Sequence, residues 1–287
     1  MTSNVHVIGA NGSIGKVLLK SLETSKFNVF SYTHNENESE KHIIYDITSD
    51  DSEAIKLSEN LDIVIILSSN TNVDDCAKYP ATSNSINMLG PIRLLKYLSA
   101  KNVKVIYFSS DAVFGDGKES FVEEDDAEPL TVYGQQKVVC EEFVKQNFSD
   151  YLVLRMSKVI GPYSENFLMH QIKALKNDQV IPCFTDQWVS PVFVNDIADF
   201  IIKAINLKLV GTYHLAADDH LTRYEMGVQI AAALDVPIEY VQKTSLNDVE
   251  MFEPRSKYSC LSNEKAKHDA SMKFSSYSEM VKKCISY

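Results

Sequence analysis

A chain of 287 residues with 45% hydrophobic content can bury a large core, as one large α/β domain or as a core domain with a smaller lobe. Its formal net charge of -11 argues against a nucleic-acid partner, since phosphate backbones reward a basic face. No basic segment leads into an apolar run at the N-terminus, no window reaches the length of a membrane span, and Cys76, Cys140, Cys183, Cys260 and Cys284 include no Cys-x-x-Cys pair. The expectation is a cytoplasmic protein with free thiols and neither disulfides nor structural zinc.

The first element, Val5 to Ile8, is an apolar strand. It runs into Gly9-Ala10-Asn11-Gly12-Ser13-Ile14-Gly15 and then a helix with Ile14, Val17, Leu18 and Leu22 on one face. This reads as a dinucleotide-binding unit: Gly9 takes the tight turn, Gly12 admits a pyrophosphate to the main chain, and Gly15 lets helix and strand approach. Asn11, Ser13 and Ile14 share the turn, and the helix N-terminus faces the phosphates. A glycine triplet alone also occurs in ordinary strand-to-helix turns; this one has its strand, its helix and its N-terminal position.

Phe27 to Tyr32 is the second strand, where cofactor choice is made. An NAD enzyme places an acid about 20 residues after the glycine turn. This chain has Ser31, Tyr32, Thr33 and His34 instead, and its first acid, Glu36, falls in a polar run that reads as a loop. With no carboxylate to repel it, a 2′-phosphate held by Thr33 and His34 favours NADP, and NAD is the alternative. His42 to Tyr45 is a third strand ending at Asp46-Ile47, and the acidic stretch after it is expected to open a surface helix. Asp46 either reaches the adenine, with Ile47 beside it, or caps the next segment.

Asp62 to Leu67 is an uninterrupted apolar run, as in a parallel strand covered on both faces. Ser68, Ser69 and Asn70 end it at the edge where ligands bind in open α/β sheets. Asn87 to Leu98 reads as a helix with apolar residues at 88, 92, 95 and 98 and Pro91 near its start. Val103 to Phe108 delivers Ser109, Ser110 and Asp111 to the same edge. Gly115 to Pro129 is a polar loop bordering a site, with Glu123 to Asp126 as solvated surface. A helix follows from Val132, with Val138, Val139, Phe143 and Val144 available for burial, and Tyr151 to Arg155 is a further strand.

Strand-helix alternation of this kind implies a Rossmann-type doubly wound parallel sheet in an α/β fold, over residues 1–155. Beyond it, Gly161 to Trp188 holds a helix and little strand, and Asn195 to Ile205 is helical. Gly211 to Ala216 is a strand expected to return to the sheet. Thr222-Arg-Tyr-Glu225 makes a capping box for a helix with Met226, Ile230, Ala233 and Leu234. Residues 156–287 are expected to form mainly a smaller C-terminal substrate-binding lobe.

Tyr133 and Lys137, four apart on a helix, share a face, so the ammonium favours the phenolate of a group whose ordinary pKa is about 10. The pair can give or take a proton near neutral pH, as carbonyl reduction requires, and Lys137 has donors left for ribose hydroxyls. Ser110, at a strand end, can hold the carbonyl against Tyr133. The three together with the glycine turn make accident improbable.

These motifs resemble the short-chain dehydrogenase/reductase superfamily in its extended form, and within it the dTDP-4-dehydrorhamnose reductase family. The likeness is carried by Ser109 to Gly117, Tyr133-Gly-Gln-Gln-Lys137, Asp186 to Pro191 ahead of Val194 to Ala198, Gly211 to Ala216, and Arg255 to Leu261. It implies Ser110, Tyr133 and Lys137 as the catalytic group and hydride transfer from a nicotinamide to C4 of a nucleotide-linked 4-keto-6-deoxysugar, a surface-polysaccharide precursor. It further implies Asn87 near the nicotinamide, and Asp111, Lys158, Gln187, Trp188 and Arg255 beside the substrate. Two positions depart from the family, Ala112 in place of an aromatic residue and Lys158 in place of Trp. Lys158 either replaces stacking area with a cation, for a different sugar or nucleotide, or points to solvent. Arg255 either meets the substrate diphosphate with its planar fork or lies on the surface. Rival readings are a nucleotide-sugar epimerase or dehydratase, and a non-catalytic NADP-binding regulatory subunit like that of methionine adenosyltransferase. A homodimer is compatible with each.

Overall fold

The computed structural model describes residues 3–34, 42–49, 60–163 and 166–287. Apolar strands alternate with helices from the N-terminus: β1 (Asn4–Ile8), α1 (Ser13–Thr24), β2 (Asn28–Thr33), β3 (Ile43–Ile44), β4 (Ile63–Ile66), α2 (Val73–Lys78), α3 (Pro80–Asn84), α4 (Gly90–Ser99), β5 (Lys104–Phe108), α5 (Val132–Asn147) and β6 (Tyr151–Met156). The second half runs through β7 (Val159–Ile160), α6 (Phe167–Lys176), β8 (Ile181–Phe184), β9 (Trp188–Val189), β10 (Val192–Phe193), α7 (Val194–Asn206) and β11 (Gly211–Leu215). It ends with β12 (Leu221–Thr222), α8 (Arg223–Leu234), β13 (Val241–Thr244), β14 (Tyr258–Ser259), α9 (Glu264–Asp269) and α10 (Tyr277–Ile285).

Among the described residues the main sheet has seven parallel strands in the order β11-β6-β5-β4-β1-β2-β3, a Rossmann-like, doubly wound arrangement. Its central strands are apolar on both faces because helices cover both. One side buries Leu18, Leu22, Phe200 and Ile201 of α1 and α7; the other buries Leu94, Leu95 and Leu98 of α4 with Cys140 and Val144 of α5. Strand order reverses between β1 and β4, so the chain ends of these two strands diverge into a crevice. A third core, around Leu168, Ile172, Met226, Ile230 and Met280, joins α6, α8 and α10, and α8 starts on the expected capping box of Thr222 and Glu225. All five cysteines are free and buried. No helix among the described residues is long and apolar enough to cross a membrane.

Several local expectations change. The helical segment before β5 starts at Val73, not Asn87, because Asn72 accepts from the Asp75 N–H and caps it there. Pro91 therefore lies well inside the run. It has no N–H to offer the Asn87 carbonyl, the backbone widens into a π-helical turn over Ser85–Leu89, and Cys140 Sγ donates to that carbonyl at 3.4 Å. In α5, Val139 is 43% exposed whereas Tyr133, Gln136, Lys137 and Glu141 are buried, so the polar face of this helix meets the sheet. Glu123 is not mere solvated surface, since its Oε1 accepts from His214 N at 2.8 Å. The stretch Gly161 to Trp188 holds β8, paired in parallel with β13; a strand of 4 residues containing Pro182 is too short to show alternation. Glu36 and the acidic stretch at 50–59 lie outside the described residues.

Candidate active site

The carboxyl ends of β1, β4, β5 and β6 open into a cavity of about 530 Å³. Gly9, Gly12, Ser13, Ile14 and Gly15 line one part of it. Gly9 has φ +86°, and a Cβ there would lie 2.8 Å from Ser68 N; a Cβ on Gly15 would lie 2.4 Å from the Ala10 carbonyl oxygen. Both positions require glycine. Gly12 caps α1 without a side-chain hydrogen bond, and no acid stands in the first helical turn. The N–H groups there thus remain for a ligand, and the donor set suits the phosphates of a dinucleotide.

Ser110, Tyr133 and Lys137 line the same cavity. Ser110 leaves β5 with Oγ donating to Asp111 Oδ1 at 2.8 Å and accepting from Ala112 N at 3.2 Å. Tyr133 sits in the first turn of α5, which is fixed by the Thr131 cap on Gly134 N, 3.1 Å, and by Glu253 Oε2 accepting from Val132 N, 2.9 Å. Lys137 Nζ donates to the Phe108 carbonyl at 2.9 Å. One turn further, Glu141 meets Arg155 through Oε2–Nη2 at 2.7 Å and Oε1–Nε at 3.0 Å, each side chain being 2% exposed. These buried polar partners explain why α5 turns that face inward.

Burial pushes the Tyr133 hydroxyl well above its ordinary pKa; the nearby Ser69 and Ser110 hydroxyls oppose the shift and the Asp111 carboxylate adds to it. Burial also brings Lys137 down to about 8. The ammonium expected to favour the Tyr133 phenolate bonds to the Phe108 carbonyl, 5.6 Å from the Tyr133 ring centroid, and burial of the hydroxyl acts in the opposite direction.

The other candidates fall into three groups. Ser69, Asp111, Lys158, Gln187 and Arg255 line the cavity with the trio. Lys158 therefore does not point to bulk solvent; burial lowers its pKa, Asp111 opposes this, and Arg223 and Arg255 add to it. Arg255 is held by Asp74, Nη2–Oδ2 2.9 Å, and Gln187 Nε2 donates to the Ser256 carbonyl at 3.4 Å. Asn87 and Ser68 stand just behind the wall. Asn87 Oδ1 accepts from Ser69 Oγ at 3.0 Å and Asn70 N at 2.7 Å, and its Nδ2 donates to Gln136 Oε1 at 2.8 Å.

Asn11, Thr33, His34, Asp46, Ile47 and Trp188 do not line this cavity. Thr33 is 1% exposed and His34 lies exposed at the end of β2. Asp46 Oδ1 accepts from Thr48 N and Oγ1, both at 2.8 Å, and the Ile47 carbonyl accepts from Arg93; the segment that Asp46 is expected to cap lies outside the described residues. Trp188 packs at a tilt against Tyr258, with centroids 5.2 Å apart and ring planes 30° apart. Sequence reasoning missed Asp74, Glu141, Arg223 and Glu253, whose partners are remote in the chain.

A family model described as the RmlD substrate binding domain matches residues 3–287. A probable low-salt glycan biosynthesis reductase of Haloferax volcanii is 26% identical, with 89% of this chain and 88% of that protein covered. A dTDP-4-dehydrorhamnose reductase of Mycolicibacterium smegmatis is 24% identical over 93% of this chain and 80% of its own. The crystal structure of dTDP-4-dehydrorhamnose reductase from Bacillus anthracis in complex with NADP superposes with a TM-score of 0.88 at 25% identity, over 99% of both chains.

Proposed function

The chain belongs to the RmlD substrate binding domain family, and we propose that it is an NADPH-dependent oxidoreductase that reduces the 4-keto group of a nucleotide-linked 6-deoxysugar for surface polysaccharide synthesis. The observation that carries this reading is the meeting of Ser110, Tyr133 and Lys137 in one cavity with the glycine turn. A bound dihydronicotinamide supplies the hydride. Ser110 Oγ exchanges its bond to Asp111 for the substrate carbonyl oxygen, and Tyr133, kept protonated by burial, donates its proton to that oxygen as the carbonyl becomes an alcohol. Lys137 uses one N–H on Phe108 and has two left for ribose hydroxyls. Such a constellation supports turnover over a purely regulatory role.

In this reading the cofactor belongs to residues 1–155 with the strand at 211–216, and the sugar nucleotide to the remainder of 156–287 together with Asp111. The enzyme works in the cytoplasm as a homodimer. Exposed His34, with no carboxylate between Ser31 and His34, supports NADP. Fluorescence titration should give a lower Kd for NADPH than for NADH, and the reverse order would defeat the cofactor assignment. Activity is tested by following NADPH oxidation with a panel of nucleotide-linked 4-keto sugars. Turnover is expected with at least one of them and none with its 4-hydroxy counterpart; no oxidation with any member would overturn the reading.

A further inference from the structure

We propose that Ser69 joins Ser110, Tyr133 and Lys137 in the catalytic group, as the donor that receives the Tyr133 phenolate when its proton leaves. The inference rests on the reductase reading above and adds a residue to its chemistry. When Tyr133 gives its proton to the substrate oxygen, the O–H electron pair stays on the phenol oxygen, and the anion forms on a side chain only 6% exposed. A charge withdrawn from water needs hydrogen bonds. Lys137 Nζ is engaged by the Phe108 carbonyl at 2.9 Å and turns its other N–H groups to the ribose, while Ser110 is turned to the substrate carbonyl. Ser69 lines the same cavity, with its hydroxyl within hydrogen-bonding range of the Tyr133 oxygen.

A chain of buried hydrogen bonds fixes where the Ser69 hydrogen waits. Ser83 Oγ gives its one hydrogen to the Cys76 carbonyl at 2.8 Å, so towards Gln136 it only accepts, at 2.9 Å, and the group facing it is Nε2. Gln136 Oε1 therefore faces Asn87 Nδ2, at 2.8 Å. The Asn70 backbone agrees: its carbonyl accepts from Asn87 Nδ2 at 2.9 Å, and its N–H donates to Asn87 Oδ1 at 2.7 Å. With Oδ1 so oriented, Ser69 must donate to it, at 3.0 Å, and its lone pairs are left to accept the Tyr133 O–H. As that proton crosses to the substrate oxygen, rotation about the Ser69 Cβ–Oγ bond brings the Ser69 hydrogen to the phenolate. No heavy atom moves, and Asn87 Oδ1 keeps the Asn70 N–H, so the turn strands no buried acceptor. The bond gained is charge-assisted where the bond lost is neutral. A proton from water restores the phenol after the product leaves.

Ser69→Ala, Ser69→Thr, Tyr133→Phe and the double variant Ser69→Ala with Tyr133→Phe test this, by NADPH oxidation with the 4-keto sugar nucleotide and by fluorescence titration of NADPH. Ser69→Ala should lower kcat/KM about tenfold to a hundredfold, the worth of one charge-assisted hydrogen bond, with the Kd for NADPH within about twofold of the parent. Ser69→Thr should restore most of the loss. In the Tyr133→Phe background, where no phenolate forms, Ser69→Ala should cost no further activity. An equal loss in both backgrounds would make Ser69 a structural or substrate contact, and a Kd for NADPH that rises in step with the loss would make it a cofactor contact. Either result overturns the inference and leaves the reductase reading intact. Full activity of Ser69→Ala overturns it as well, whereas a parent that oxidises NADPH with no 4-keto sugar removes the reading on which it stands.

Discussion

Replacing Lys137 by Met should make the cofactor-free protein more stable at neutral pH while removing its chemistry. The side chain is 3% exposed, and burial brings its pKa from 10.5 down to about 8 against the opposing pull of Cys140, Glu141 and Cys76. At about 1.4 kcal/mol per unit, that drop amounts to roughly 3 kcal/mol against the charged form. The folded value is the depressed one, so between 8 and 10.5 the unfolded chain holds more protons and stability rises with pH. Below that window the whole cost is present. Met fills a similar volume but gives up the ammonium bond to the Phe108 carbonyl, worth about 1 kcal/mol. The balance is a gain of about 2 kcal/mol at neutral pH, or roughly 4 to 8 °C in Tm. Near the upper end of the window most of the cost has left the parent, and the gain should vanish. Equilibrium urea unfolding of parent and variant at neutral and alkaline pH measures both. A variant less stable than the parent at neutral pH by about 1 kcal/mol or more would refute the desolvation argument.

Glu141→Met strands Arg155 as a buried charge and should cost about 3 to 5 kcal/mol in thermal unfolding. Burial alone would raise the Glu141 carboxyl, but Arg155 and Lys145 hold it below 4.5. The parent should therefore lose this contribution as pH falls through that depressed value while the variant does not; equal acid sensitivity would contradict it. Gly15→Ala drives a Cβ to 2.4 Å from the Ala10 carbonyl. Displacing α1 at a cost of about 1 to 3 kcal/mol should weaken NADPH roughly tenfold or more by fluorescence titration, and unchanged affinity would remove the turn from the cofactor site. Burial and Arg155 push the His214 imidazole down to about 3, so NMR should find it neutral throughout the mildly acidic range, and a midpoint at the ordinary 6.5 would place it in water.

The glycine turn, Ser110 at a strand end and the Tyr133-Lys137 pair are legible in sequence because each is local, set by a strand-turn-helix or by one helical turn. Contacts between remote segments are not. Glu253 reaching Val132, Asp74 holding Arg255 and Arg155 meeting Glu141 all depend on how the C-terminal segment and β6 pack on α2 and α5. The state of Tyr133 is hidden for a related reason, since spacing reveals its cation and not its desolvation. Val139 misleads because α5 gives its inner face to buried polar partners, so apolar periodicity marks the wrong side.

The central claim, that Tyr133 supplies the proton in a carbonyl reduction, is tested most directly by Tyr133→Phe, assayed for NADPH oxidation with the 4-keto sugar nucleotide that the parent reduces. The ring and its packing remain, so the Kd for NADPH should stay within about twofold while kcat/KM falls on the order of a hundredfold to ten-thousandfold. A variant that keeps kcat/KM within about tenfold of the parent would show that another group donates the proton, and the account of this site would be wrong.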